Sequence, residues 1–262
     1  MRQNGLALLA AAVALASVAA SAEVKTKEIQ YKQGGTPLQG FIAWDDAVKG
    51  KRPGVLVVHE WWGLNEHARN QARRLAEAGY VGLALDMYGK GKSTQHPDDA
   101  GKMATELNKD PKQVKARFDA ALAQLKKDPH VDAKKIGVVG YCMGGTIALS
   151  MAGAGEPLGV VAAFHAGLQN LPKPKQGQVK ARILLNTGAA DPMAPQSAVD
   201  AFKQSFEGAG AKVEVISYPG AKHGFTNPDA DKAGMPALAY NAEADKESWA
   251  NSMQLFKDVF GS

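Results

Sequence analysis

A single cysteine, Cys142, is all that the 262 residues contain. One thiol cannot close an internal disulfide, so the fold has to rest on its core. Aromatic residues supply only 7% of the chain, and the packing falls instead to plentiful Gly and Ala, as where helices lie close on a sheet. The formal net charge of +5 is scattered, with no basic arm or stripe, so no nucleic-acid partner is expected. Internal repeats, low-complexity tracts and linkers are also missing. Histidines at metal-ligand spacing are missing too. His59-Glu60 opens an H-E-x-x-H pattern, but Gly63 stands where the second His would be, and His67, His96, His130 and His165 are isolated. No metal and no cofactor is expected. A content of 45% hydrophobic and 22% charged residues excludes a disordered chain.

What is present begins with a targeting pattern. Arg2 precedes an apolar run from Leu6 to Ala20, followed by Ala20-Ser21-Ala22. A basic start, a short apolar stretch and a small-x-small site form a signal peptide, here residues 1–22 with cleavage after Ala22. The run is shorter than the ~20 residues a membrane span needs. The mature chain, residues 23–262, is expected to be one domain, without a membrane span and exported to the periplasm or secreted.

That chain alternates short apolar strands with amphipathic helices. Segments 24–31 and 38–44 alternate around a Gly-Gly turn, which predicts an N-terminal hairpin. The runs GVLVVH (54–59), VGLALD (81–86) and KIGVVG (135–140) predict strands buried on both faces, with further strands at 160–164, 183–186 and 212–218. Asn65 caps a helix that stops at Gly79. Helices are also expected over 98–127, broken near Asp110-Pro111, over 195–207 and over 238–260. Strand–helix alternation at this spacing implies an α/β fold: a mostly parallel central sheet with helices on both faces. Its chemistry belongs in the loops after the strands.

One such loop is Gly140-Tyr141-Cys142-Met143-Gly144-Gly145. This is G-x-C-x-G at a strand-to-helix turn, a nucleophile elbow with Cys in place of Ser. The sharp turn needs neighbours without a Cβ, the helix N-terminus favours a thiolate, and the Met143 amide can point at an oxyanion. Asp191 follows the strand at 183–186, and His223 lies in a Gly-flanked loop after the last strand. Nucleophile, acid, histidine is the chain order that such a fold requires. Glu60 stands at the tip of GVLVVH, where the loop ordinarily supplies a second oxyanion amide.

Together, His59–Asn65 (HEWWGLN), Asp86-Met87-Tyr88-Gly89, Gly140–Gly145 (GYCMGG), Gly188–Asp191 and His223-Gly224-Phe225 resemble the dienelactone hydrolase family of α/β-hydrolases. These segments span nearly the whole mature chain. The resemblance implies an α/β-hydrolase fold and a Cys142–His223–Asp191 triad that cleaves a small ester or lactone through a thioester. It implies that Glu60 contacts Cys142 at rest and helps deprotonate it, and that Met143 and Trp61 N–H groups form the oxyanion hole. Family members hold a substrate carboxylate with arginines, one of them four residues after the triad His. Asn227 stands there, Arg117 is the candidate for the other arginine, and Lys222 or Lys90 would offer only a point charge. Trp61, Trp62, Tyr88 and Phe225 are expected to line an apolar acyl pocket beside Asn227. The expected partner is therefore a small-molecule ester or lactone, handled by a monomer or small homo-oligomer. A non-catalytic ligand-binding protein on the same fold is the alternative, which the joint retention of Cys142, Asp191, His223 and Glu60 argues against.

Overall fold

The structure is a computed structural model that describes residues 23–169 and 171–261. The predicted signal peptide, residues 1–22, lies outside the described residues. Eight strands form one sheet in the order β1-β2-β4-β3-β5-β6-β7-β8. The hairpin of β1 (Val24–Gln33) and β2 (Thr36–Asp45) joins β4 (Val81–Leu85) antiparallel. All other pairings are parallel: β3 (Arg52–Val58), β5 (Val131–Tyr141), β6 (Val160–Phe164), β7 (Arg182–Gly188) and β8 (Lys212–Tyr218). The mostly parallel α/β-hydrolase sheet expected from the sequence is thus present.

Helices cover both faces, and the apolar strands divide their side chains between them. On one face Leu56, Val58 and Val138 meet α3 (Pro111–Lys127), α4 (Met143–Gly153) and α5 (Gln196–Gly208) through Phe118, Leu122, Ile147 and Phe202. On the other, Val55, Val57 and Val139 meet α1 (Glu66–Glu77) and α6 (Ala242–Phe260) through Ala72, Leu75, Leu255 and Phe256. Successive residues of one strand feed opposite layers, which is why these strands read as unbroken apolar runs. Small residues set the distances. A Cβ on Gly82 would stand 2.6 Å from the Ala72 carbonyl of α1. Cβ atoms on Gly137 and Gly159 would stand 2.6 and 2.8 Å from the rings of Phe256 and Phe260.

Helix ends follow the capping residues. Asn65 Oδ1 accepts from Ala68 N at the start of α1, and Gly79, at φ +89°, follows its end. Asp110 caps α3 by accepting from Lys112 and Gln113 N, with Pro111 in the first turn, so the predicted break at Asp110-Pro111 separates α3 from α2 (Pro97–Asn108). One boundary differs. The last helix starts at Ala242, capped by Asn241 Oδ1, not at Leu238. Residues 237–239 instead bridge to His223, with His223 N donating to Ala237 O and Ala239 N to His223 O. Leu238 is apolar because it packs in that strap beside Trp62 and Ala230, not because it continues a helical face.

Among the described residues, no helix is long and apolar enough to cross a membrane.

Candidate active site

The β5–α4 junction places Cys142 at φ +54° and ψ −119°, a backbone region that L-residues rarely occupy. Neighbouring glycines make the turn possible. A Cβ on Gly140 would stand 2.2 Å from Gly144 O, one on Gly144 2.2 Å from Val58 O, and one on Gly145 2.8 Å from Ala166 Cβ. The Cys142 carbonyl accepts from Gly145 and Thr146 N as α4 starts. No backbone carbonyl among the described residues accepts from the Met143 or Trp61 N–H. Both residues line the same cavity as Cys142.

The loops after β7 and β8 bring Asp191 and His223 together. A Cβ on Gly188 would stand 2.3 Å from Ala221 O, so the two loops pack backbone to backbone, and Ala190 N donates to Ala221 O. His223 Nδ1 lies 2.9 Å from Asp191 Oδ2, with both side chains buried. Asp191 Oδ1 accepts from Met193 N, which leaves Oδ2 for the ring. His223 Nε2 is buried without a hydrogen-bond partner among the described residues. Burial favours the neutral ring, but the Cys142 sulfur and Asp191 outweigh it and push His223 up to about 10. Cys142 and His223 thus interact electrostatically across the cavity that both line.

Glu60 follows β3 and is 5% exposed. Burial pushes its carboxyl up from 4.5 to about 7, opposed by a hydrogen bond from Asn227 and by His223. The carboxylate is held by Asn227, whose Nδ2 donates to Glu60 Oε2 at 2.6 Å. No hydrogen bond joins Glu60 to Cys142 among the described residues, although both line one cavity; the partner of the carboxylate is the Asn227 amide. The loop backbone is braced from below. His59, fully buried and kept neutral by burial, donates from Nδ1 to Glu60 O and accepts at Nε2 from Met87 N. Tyr88 Oη donates to Trp61 O and sits 3.4 Å from Met143 Sδ.

A cavity of about 410 Å³ joins these groups. Glu60, Cys142, His223 and Asn227 line it together with an apolar wall of Trp61, Trp62, Met143, Ile147, Met193 and Leu238. Two predicted pocket residues lie elsewhere. Tyr88 is buried behind the cavity, supporting Trp61, and Phe225 is fully buried against His165 and Tyr218. Their aromatic bulk serves the loops that carry the site. Arg117 is also displaced from the expected role: its Nη1 donates to Met87 O, holding α3 against the end of β4. Lys222 Nζ donates to Pro236 O, and neither it nor Lys90 lines the cavity.

His165 has no metal-ligand spacing, and the motifs of the sequence give it no role. It follows β6 directly, at the carboxyl edge of the sheet, and that position was the available signal. Cys142 N donates both to Phe164 O and to His165 Nδ1, while His165 Nε2 lies 2.9 Å from Thr226 Oγ1. An acceptor role at Nδ1 places the proton on Nε2. Burial, aided by His223 and His67, keeps this ring neutral. It thereby ties the Cys142 backbone to the loop that carries His223.

Among the described residues no cluster of His, Cys, Asp or Glu is arranged to hold a metal ion.

Known proteins share this architecture. The Dienelactone hydrolase family profile matches residues 38–260. Protein usf of Aquifex pyrophilus is 31% identical over 235 residues, covering 88% of this chain and 97% of its own. A protein of Aquifex aeolicus assigned as a carboxymethylenebutenolidase is 29% identical over 233 residues, covering 87% and 96%. The crystal structure of a dienelactone hydrolase-like promiscuous phosphotriesterase from metagenomic libraries superposes with a TM-score of 0.85 at 33% identity, covering 91% of this chain and 99% of that one. With the match extending from β2 to the end of α6, the chain belongs to the dienelactone hydrolase family and is a hydrolase.

Proposed function

We propose that the protein hydrolyses small esters or lactones with Cys142 as nucleophile, His223 as its proton acceptor and Asp191 as the group that orients His223. The observation that carries this reading is the state of His223. Its Nδ1 is fixed by a buried carboxylate while its Nε2 is unpartnered, in a cavity shared with a cysteine on a strained turn. A ring held by Asp191 has its tautomer set and its imidazolium form stabilised.

In the proposed cycle the Cys142 sulfur attacks the acyl carbon, its proton passing to His223. The Met143 and Trp61 N–H groups receive the developing oxyanion. Collapse breaks the bond to the alcohol oxygen, which leaves with the proton from His223. Water, deprotonated by His223, then attacks the thioester, releasing the acid and regenerating the thiol. Glu60 supplies a second proton acceptor at the cavity wall, near neutrality where such exchange is easiest. Export after cleavage at Ala22 is part of the proposal, and a mature amino terminus at Glu23 by N-terminal sequencing is the expected result.

The test is turnover of an aryl acetate, a neutral lactone, a dienelactone and a phosphotriester, the last because a structural relative acts promiscuously on that class. Hydrolysis by the wild type that is lost in Cys142→Ala, with an acyl adduct on Cys142 by mass spectrometry, is expected. Undiminished hydrolysis by Cys142→Ala would sink the cysteine mechanism.

A further inference from the structure

We propose that the cavity selects neutral substrates and rejects an acyl group bearing a carboxylate, with Asn227 as the residue that sets this preference. The inference rests on the hydrolase reading above and names its substrate class.

The lining is the first ground. Among the described residues that bound the cavity there is no Lys or Arg, and its only ionisable side chains are Glu60, Cys142 and His223. Cations near the site are engaged elsewhere. Arg117 is turned to Met87 O, Lys222 to Pro236 O, and Lys232 pairs with Asp229 at 2.7 Å. His223, the one lining group that gains positive charge, is already matched to Asp191.

The second ground is the Glu60–Asn227 pair. A carboxylate already occupies the polar wall, and the group satisfying it is a neutral amide with two N–H donors, one of them committed at 2.6 Å. Asn227 Oδ1 is also committed, accepting from Asp229 N at 2.9 Å. A second carboxylate entering with the substrate would lie beside Glu60 without a counter-charge, losing its hydration for nothing in return. A neutral acyl chain can lie along the apolar wall of Trp61, Trp62, Met143, Ile147, Met193 and Leu238, where burying apolar surface is favourable, and the polar side chains Asn108, Thr146 and Gln169 that share the lining carry no charge. An arginine at position 227 would instead bring a permanent charge with a bidentate face to both carboxylates.

The test compares two esters with the same leaving group, ethyl butyrate and monoethyl succinate, with acid release followed at pH 8 and the full chain as purified. The expected kcat/KM favours butyrate by about 100-fold, as an unpaired buried carboxylate requires. In Asn227→Arg the ratio should narrow by about tenfold or more through a lower KM for the succinate. Equal kcat/KM, or preference for the succinate in the wild type, overturns the inference and leaves the hydrolase reading standing. If neither ester turns over, the hydrolase reading fails for these substrates. Protection of Cys142 from iodoacetamide then decides the inference alone. Stronger protection by butyramide than by succinamate upholds it, and the reverse or equality overturns it. The alkylation assay needs only wild-type protein, so misfolding of Asn227→Arg would not affect it.

Discussion

Neighbouring strands β3 and β5 both end in the candidate site, yet the two ends are held by different means. The Cys142 turn is fixed by backbone lying on backbone: Gly140 against Gly144, and Gly144 against Val58 O and His59 O. The Glu60 loop is fixed by side chains from distant parts of the chain: His59 to Met87, Tyr88 to Trp61, and Asn227 to Glu60 across 167 residues. A contact between backbones tolerates no added atom. A side-chain bond can be exchanged for another at modest cost. The nucleophile's position is therefore rigidly specified, whereas its polar surroundings rest on single bonds such as that from Asn227 to Glu60.

Substitutions can break this contrast in turn. Gly144→Ala should have the largest effect. Its Cβ meets the Val58 carbonyl at 2.2 Å and His59 O at 2.7 Å, and backbone cannot step aside. A loss of about 3 kcal/mol or more is expected from urea midpoints at constant m. A near-neutral result would show that the turn is softer than its packing implies.

Glu60→Gln comes next and acts through pH. The folded carboxyl titrates at about 7 and its ordinary value is 4.5, so the native state holds a proton the unfolded chain has released between them. That contribution to stability is full below 4.5 and is lost as pH rises through 7. The variant should therefore gain on the wild type by up to about 3 kcal/mol on going from pH 4 to pH 8. A stability difference that does not change with pH would refute the assignment.

His67, the second residue of α1, slopes the other way. Burial, with Arg74 adding to it, pushes this ring down from 6.5 to about 4. Stability is full above 6.5 and is lost as pH falls through 4. In His67→Phe the acid-side loss should shrink by about 2 kcal/mol, read from thermal midpoints at pH 4 and 7. An unchanged acid limb would place the proton uptake elsewhere.

Tyr88→Phe should be mildest for stability, costing about 1 kcal/mol for one hydrogen bond. Its sharper signature is kinetic: kcat should fall several-fold with KM unchanged, because the Trp61 amide loses its support. Equal falls in kcat and rises in KM would indicate a binding role instead.

The same contrast explains what could be read from the residues alone. Elbow glycines, helix caps at Asn65 and Asp110, and apolar strand runs act on near neighbours in the chain, so their pattern is local and legible. Glu60 was noticed for its place at a strand tip, but its bond to Asn227 joins loops that only the folded sheet brings together. His165 carries no local motif, because its partners are a backbone N–H and a threonine from another loop. Tyr88 and Phe225, expected to line the acyl pocket, pack behind it, because period and composition do not say which side of a loop an aromatic ring fills. Leu238 misled in the same way, its apolar character belonging to a strap and not to α6.

The aromatic rings of α6 rest on Gly137 and Gly159, and the layer they complete includes Val139, Val160 and Ala162. These positions are vacated for rings supplied some hundred residues later in the chain. During synthesis the central strands therefore emerge well before their cover does. Until Phe256 and Phe260 have been made, that face of the sheet has small residues with nothing to fill the space above them. Completion of this layer of the core thus waits on α6, and a chain truncated before it would keep that face of the sheet open.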